Sequence, residues 1–333
     1  MIHLAVATWM IVTAAACRSS DAPPDDGRIA TWLDISPAIG DPPRNPGDAL
    51  ALLQAYGSGR LGVRGVSVTF GNVPLERGLP AAQELLKRLD SGLLRAWRGA
   101  SAPDERAAPT EATELLQEAL GKEPLTIVAT GPMTTVASVL LRHPAMASRI
   151  QRVILVAGTS VDSNPPGPRS ESGPYLATTP GGAGISARDA NVEADAPSLQ
   201  VLLDSPVALT VVSPSLATGI GLDAADLDRL DEGHGPIKLI TPPARAWLQA
   251  VRGVDDATAF AVPAMLAVDV AAHPGDVRCE AAVASVATPQ PHGPRLLIAS
   301  STEGRRVTWC HTADPGAKAR IIADVLRVRQ LPR

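Results

Sequence analysis

The side chains with most chemistry to offer stand where predicted strands end. A strand candidate at 29–35 delivers Asp34 and Ser36 into a Gly/Pro-rich loop that closes on Asn45-Pro46-Gly47-Asp48. A second, at 63–70, ends at Gly71-Asn72, and a third, at 125–129, ends at Thr130-Gly131-Pro132. Asp189 and Asn191 follow a long unpatterned stretch. Ligands of open parallel sheets bind beyond the carboxyl ends of the strands, so these carboxylates, amides and hydroxyls, remote in sequence, can gather into one polar pocket. Histidine chemistry has no visible basis: the six His are scattered, with no pair at metal or triad spacing. Residues 57–62 (Gly-Ser-Gly-Arg-Leu-Gly) match a dinucleotide fingerprint literally, but they follow a helix and precede a strand. The phosphate-binding turn requires the reverse order, so this run reads as a helix C-cap and turn.

The elements that must position these residues alternate. Strand candidates at 29–35, 63–70, 125–129, 153–156 and 207–212 are interleaved with helix candidates at 46–56, 81–94, 110–120, 133–143, 198–203, 224–230, 242–251 and 258–270. That alternation predicts an α/β fold: a Rossmann-like, mainly parallel sheet flanked by helices. After His273 the texture changes to short runs at 281–286, 296–300 and 307–310, a small antiparallel C-terminal element before a last helix at 316–328. No repeat and no second linker interrupts residues 28–333, which read as one domain. The segment 159–186 is rich in Pro, Gly and Ser and has no periodicity, so it reads as a binding loop or lid or as a locally mobile stretch.

Composition bounds the partners. The 333 residues are 45% hydrophobic and 19% charged, enough for a large core, and the 30 basic against 34 acidic residues give a net charge of −4. No dense basic face for nucleic acid is expected from that balance. Aromatics are only 3% of the chain. Trp32 and Trp247 read as core residues, which leaves Tyr175, in the long segment, as the candidate to stack on a flat base.

Four runs carry a family resemblance: Trp32-Leu-Asp-Ile-Ser-Pro-Ala-Ile-Gly40, Gly47-Asp-Ala-Leu-Ala-Leu-Leu53, Gly65-Val-Ser-Val-Thr-Phe-Gly-Asn-Val-Pro-Leu75 and Ala129-Thr-Gly-Pro-Met-Thr-Thr-Val-Ala137. Together with Asp189-Ala-Asn-Val-Glu-Ala-Asp195 they resemble the inosine/uridine-preferring nucleoside hydrolases over most of residues 28–330. The resemblance implies a Rossmann-like domain that hydrolyses the N-glycosidic bond of ribonucleosides. In that chemistry Ca²⁺ grips the ribose diol, and an Asp-activated water attacks an oxocarbenium-like sugar.

Carried over residue by residue, the resemblance removes much of the metal site. In the family's Asp-x-Asp-x-x-x-Asp-Asp opening, Asp34 matches the first acid, Ser36 replaces a calcium ligand, Gly47 replaces the water-activating base and Asp48 matches the last acid, a calcium ligand. The intervening loop is longer than in the family, and Asp41 or Asn45 within it are the residues that could substitute. Thr130 matches the position whose carbonyl binds calcium. Asn72, Asp189 and Asn191 match positions that hold ribose hydroxyls. Ala264 stands in place of a further acid near the C-terminal part. Asp48 and Thr130, with Asp34, are therefore the metal candidates, and Asn72, Asp189, Asn191 and Tyr175 the substrate candidates. Calcium takes about six to eight oxygens, usually including several carboxylates, so it is expected to bind weakly or not at all. Each residue also has a plain structural reading. Asn45-Pro46-x-Asp48 is a good helix start, Asp34 can serve loop amides, and Asn72, Thr130 and Asn191 can be turn or cap residues.

The expected function is thus a catalytically impaired nucleoside- or ribose-binding or scaffold protein, the alternative being a divergent ribonucleoside hydrolase. Ahead of the domain, the uncharged apolar run 4–16 and Ala14-Ala15-Ala16-Cys17 resemble a bacterial lipoprotein signal, with residues 1–16 as export signal, Cys17 as lipidation site and 17–27 as tether. That implies an exported, periplasmic or membrane-anchored envelope protein, touching the membrane only through a lipid. Cys279 and Cys310 can form a disulfide between neighbouring strands or remain two buried thiols.

Overall fold

The computed structural model describes residues 27–40, 42–89, 95–160, 189–255, 257–288, 293–299 and 304–328. The export segment, Cys17, Asp41 and Tyr175 lie outside them. In chain order the elements are β1 (Ile29–Ile35), α1 (Gly47–Gly57), β2 (Leu61–Val68), α2 (Leu75–Leu89), β3 (Ala96–Arg98), α3 (Glu111–Lys122), β4 (Leu125–Ala129), α4 (Thr134–Arg142), β5 (Ile150–Val156), β6 (Thr159–Ser160), α5 (Ala190–Asp204) and β7 (Leu209–Val212). They continue with β8 (Leu222–Asp223), α6 (Ala224–Asp231), α7 (Ile237–Asp255), β9 (Ala259–Phe260), α8 (Pro263–Ala272), β10 (Val277–Ala287), β11 (Arg295–Ala299), β12 (Arg305–Ala313) and α9 (Ala317–Arg327).

One sheet carries the order β3-β2-β1-β4-β5-β7-β12-β10-β11-β6. It is parallel from β3 to β7 and again where β12 joins β7, while β10 pairs antiparallel with both β12 and β11. The expected mainly parallel sheet with a small antiparallel C-terminal part is therefore present. A separate pair, β8 with β9, forms a second small sheet. The central strands are buried on both faces, which is why their sequences are almost continuously apolar. Their side chains still alternate between two cores. Leu33, Ile35, Val128, Ile154 and Val156 enter the core shared with α1, α8 and α9. Trp32, Ile127, Ala129, Val153 and Leu155 enter the one shared with α3, α4 and α5.

Close packing beside β1 depends on a glycine. The Trp32 ring lies against Gly65 on β2, where a Cβ would stand 2.2 Å from it. The Trp32 indole N–H donates to the Ser67 hydroxyl at 2.8 Å. Gly57 closes α1 and Gly59 turns the chain with φ +68°, so the glycine-rich run is the predicted helix end and turn.

Several helix boundaries differ from the sequence reading, and proline is the common cause. The expected starts at 81, 198 and 242 each follow or include a proline, yet α2 begins at Leu75 with Pro80 inside it, and α7 begins at Ile237 with Pro242 and Pro243 inside. In α5 the helix starts at Ala190 and breaks its geometry at Asp195, two residues before Pro197. Each helix forgoes main-chain bonds at its proline and continues because the rest of its apolar face is packed. The expected helix at 258–270 is instead the short strand β9 followed by α8, with Pro263 in the first turn. β3, only three residues long, is too short to announce itself by periodicity. Among the cysteines, Cys279 and Cys310 face each other in the β10–β12 register with Cα atoms 4.0 Å apart and form a disulfide.

Candidate functional site

β1 is flanked by β2 on one side and by β4 on the other, so the strand order reverses at β1 and a crevice opens beyond the carboxyl ends of these strands. A pocket lies in it, lined from several segments. Ser36 follows β1, Asn45, Gly47 and Asp48 come from the following loop and the start of α1, and Asn72 from the turn after β2. Thr130 and Gly131 follow β4, Val156 ends β5, Asn191 lies in the first turn of α5, and Pro263 and Ala264 open α8. The gathering of distant polar clusters expected from sequence is thus realised for Ser36, Asp48, Asn72, Thr130 and Asn191.

The pocket is built from carbonyls, amides and one carboxylate. Asp48 is the only carboxylate in its lining among the described residues. Its Oδ2 accepts from the Ser36 N–H at 2.9 Å. Burial pushes its pKa up, opposed by that N–H, because the charged form loses water. The Ser36 hydroxyl accepts from the Asn72 N–H at 3.1 Å, and the Asn72 amide nitrogen donates to the Asn45 carbonyl at 2.8 Å and the Ser36 carbonyl at 3.3 Å. Asn72 can therefore meet a ligand hydroxyl through its amide oxygen, an acceptor. Across the crevice the Asn191 amide nitrogen donates to the Thr130 carbonyl at 2.8 Å and the Val156 carbonyl at 2.9 Å, so the position matched to a calcium-binding carbonyl already serves Asn191.

Asn45 has a role that its type alone disclosed only in part. Its amide oxygen accepts from the Gly47 N–H at 2.8 Å, and its nitrogen donates to the Ala261 carbonyl at 2.9 Å, joining the start of α1 to the approach to α8. A Cβ built on Gly47 would stand 3.0 Å from that oxygen. The Asn45 side chain thus crowds the space into which an acid at position 47 would grow. The expected helix start is displaced by one residue: α1 begins at Gly47, Pro46 is its N-cap without a side-chain cap bond, and Asn45 serves one of the first helical N–H groups as an Asx turn.

Two expected site residues stand elsewhere. Asp34, a candidate metal ligand, is absent from the pocket lining; its side chain is fully buried and its Oδ1 accepts from the Ser67 hydroxyl at 2.6 Å. It projects from the middle of the sheet, one residue short of the strand end. Burial raises its pKa to about 7, against the lowering effect of the Ser67 hydrogen bond. Asp189, a candidate for ribose, is also outside the lining. One of its oxygens accepts from the Gly158 N–H at 2.8 Å and the Leu296 N–H at 3.1 Å, tying the exit of β5 to β11, and burial raises its pKa to about 6. Main-chain donors thus hold Asp189 in place as a strut.

Sequence reasoning missed a buried acid that anchors α5 near Asn191. Asp195, at the break in α5, accepts from the Arg106 guanidinium at 3.0 Å, the Thr134 hydroxyl at 2.6 Å and the Ser198 N–H at 3.1 Å. It anchors the first turn of α5 against α4, one turn from Asn191. No sequence signal separated it from an ordinary helix acid, since Arg106 and Thr134 come from two other segments and only Ser198 is local.

Among the described residues the pocket lining offers one carboxylate, with carbonyls and neutral amides around it, fewer anionic oxygens than calcium usually takes in place of its water shell. Ser36, Gly47 and Ala264 supply no replacement among the described residues.

Comparison with known proteins bears on the whole domain. The family described as inosine-uridine preferring nucleoside hydrolase matches residues 40–329. The pyrimidine-specific ribonucleoside hydrolase RihA of Salmonella typhimurium is 26% identical over 220 residues, which cover 58% of this chain and 65% of that protein, so the match spans a little under two thirds of that relative's length. Among solved structures, a plant nucleoside hydrolase superposes with TM-score 0.73 at 17% identity, covering 91% of this chain and 99% of its own. A purine-preferring ribonucleoside hydrolase from Gardnerella vaginalis does so with TM-score 0.73 at 16% identity, covering 91% and 100%. At such identities the superpositions speak for the fold alone.

Proposed function

Because the chain belongs to the inosine-uridine preferring nucleoside hydrolase family, we propose that it uses the family's crevice to bind a ribonucleoside or a ribose-like polyol without calcium and without cleaving it. The observation that carries this reading is the lining of the pocket: Asp48 is its only carboxylate among the described residues, and the family resemblance puts Gly47 where the base would be. A water attacking an N-glycosidic carbon needs a base within hydrogen-bond reach and stabilisation of the developing charge. A single carboxylate already bonded to a main-chain N–H is a poor source of both. The same groups suit hydroxyl donors well. Asp48 offers a carboxylate oxygen besides the one on Ser36, and the Asn72 amide oxygen adds an acceptor. The ligand is a small molecule, and nucleic acid is not among the partners we assign. The Cys279–Cys310 disulfide supports a place outside the reducing cytoplasm, in line with an export signal and a lipid on Cys17.

The test pairs binding with turnover. Calorimetric titration of the full chain with inosine, uridine and ribose, with Ca²⁺ or with chelator, should give binding that the chelator leaves unchanged. A reducing-sugar assay should detect no ribose release. Asp48→Ala should weaken binding by about ten-fold to a hundred-fold, the worth of a charge-assisted hydrogen bond. Calcium-dependent ribose release that disappears in Asp48→Ala would overturn the proposal in favour of a divergent hydrolase. Joint restoration by Ser36→Asp, Gly47→Asp and Ala264→Asp should create calcium binding, with Asn45 displaced from the Cβ at position 47.

A further inference from the structure

The two helices that open at the pocket lead to a second cluster at their other ends. α8 starts with Pro263 and Ala264 in the pocket lining and reaches His273, its C-cap, about 13 Å further along its axis. Asp269 and His273 are four residues apart and so share one helix face. Facing them is Asp324 of α9. One donor atom from each of Asp269, His273 and Asp324 lies within 4.8 Å of the other two. α1, which carries Gly47 and Asp48 at its start, closes with Gly57 against the same place: a Cβ there would stand 1.8 Å from the Asp324 carbonyl oxygen.

The groups in this cluster are only half satisfied. Both carboxylates have fully buried side chains. Arg320 lies 3.3 Å from Asp269 Oδ2 and 3.2 Å from Asp276 Oδ2, and Arg327 pairs with Asp324 Oδ1. The remaining oxygens, Asp269 Oδ1 and Asp324 Oδ2, are buried without a hydrogen bond, as is His273 Nε2. The imidazole lies 3.7 Å from Asp324 Oδ2 through Nε2, and 3.7 Å from Asp276 Oδ2 through Nδ1. Three carboxylates thus face two guanidiniums, and three buried donor atoms converge without a hydrogen bond, although His273 Nε2 and Asp324 Oδ2 already face each other at 3.7 Å. Orphaned buried polar atoms are costly, and an occupant that bonds all three would remove that cost.

The donor set selects the occupant. One imidazole nitrogen and two carboxylate oxygens are too few for calcium and are not the all-oxygen shell that magnesium prefers. They match the three protein ligands plus water of a tetrahedral zinc-type ion, whose two positive charges would more than offset the one surplus carboxylate. We propose that Asp269, His273 and Asp324 form a zinc-type divalent-metal site, a staple joining α8 to α9 behind the candidate ribose pocket. The ion binds the neutral imidazole through Nε2 and one oxygen of each carboxylate, and the guanidiniums keep the other oxygens. α1 packs its closing Gly57 against Asp324, so the staple lies where the far ends of α8, α9 and α1 meet.

The test uses the full chain, without a histidine tag and stripped with chelator. Titration with ZnCl₂ should show one ion per chain and raise the unfolding temperature. His273→Gln and Asp324→Asn should each weaken binding at least about ten-fold, while Asp48→Asn should leave it intact. Co²⁺ in place of Zn²⁺ should give visible absorption bands that His273→Gln abolishes. Should either variant fail to fold, the ¹⁵N resonances of the imidazole in the unmodified protein carry the test, because zinc must shift the Nε2 signal of His273. Three results would each overturn the proposal: no zinc bound by the folded chain, zinc lost only in Asp48→Asn, or a His273 signal that zinc leaves unmoved.

Discussion

Replacing Asp34 by asparagine should make the protein relatively more stable as pH rises, and the size of the effect follows from where Asp34 sits. Its side chain is fully buried beside Ser67, and burial raises its pKa from 3.8 to about 7. In the unfolded chain the carboxyl ionises near its ordinary value, whereas the folded protein holds the proton until about pH 7. Between about pH 4 and pH 7 the native state therefore binds more protons than the unfolded state, and native stability falls with rising pH. The accumulated loss is about 4 kcal/mol, complete above pH 7 and absent below pH 4. The amide side chain cannot ionise, so the Asp34→Asn protein escapes this loss. It carries instead a constant penalty of about 1–3 kcal/mol for an amide N–H₂ in the place of Asp34 Oδ2, which has no hydrogen bond. Urea unfolding of both proteins at intervals from pH 4.5 to 7.5 separates the two effects, since only the ionisation varies with pH. The stability difference should move in favour of Asp34→Asn by several kcal/mol across that range. A difference that stays flat would mean that Asp34 is ionised in the folded protein and that burial does not govern its titration.

Two further predictions concern the frame around the pocket. Gly57→Ala places a methyl 1.8 Å from the Asp324 carbonyl oxygen and should cost about 3 kcal/mol as α1 and α9 are forced apart, whereas Gly121→Ala in α3, with open space around it, should stabilise by up to about 1 kcal/mol. Thermal unfolding of the two variants compares them directly, and equal effects would refute the close-approach argument. Reducing the Cys279–Cys310 bond, which closes a loop across 31 residues of sequence separation, should lower stability by about 3–4 kcal/mol. Urea midpoints with and without a reductant measure this, and an unchanged midpoint would contradict a cross-link that acts through the unfolded chain.

The boundary between what was legible and what was not follows the range of the interactions. β1 and β4 were placed to the residue because their apolar runs are bounded by turn residues within the same stretch. The starts of α2, α5 and α7 were misplaced because proline acts locally as a break, while packing of the whole helix carried the chain through it. At the site, Asp48, Asn72, Thr130 and Asn191 reached the pocket because each sits at or just beyond an element boundary, where the fold class alone puts ligands. Asp34 and Asp189 were candidates for the site that stand outside the pocket lining, Asp34 in the structural role that its type also allowed, because a carboxylate's role depends on the direction it faces. Asp34 points into the sheet at Ser67, and Asp189 toward the main chain of Gly158 and Leu296.

Sequence by itself determined the α/β class and the family resemblance, and with it the expectation that Ser36, Gly47 and Ala264 stand in place of acids, since all three rest on residue types in short local patterns. Only the tertiary structure decided that Asn45 crowds the space beside Gly47, that Asn191 occupies the Thr130 carbonyl, that the two late cysteines pair, and that Asp269, His273 and Asp324 converge. These are contacts between segments far apart in the chain. Their energies depend on distance and burial in three dimensions, which no spacing along the sequence encodes.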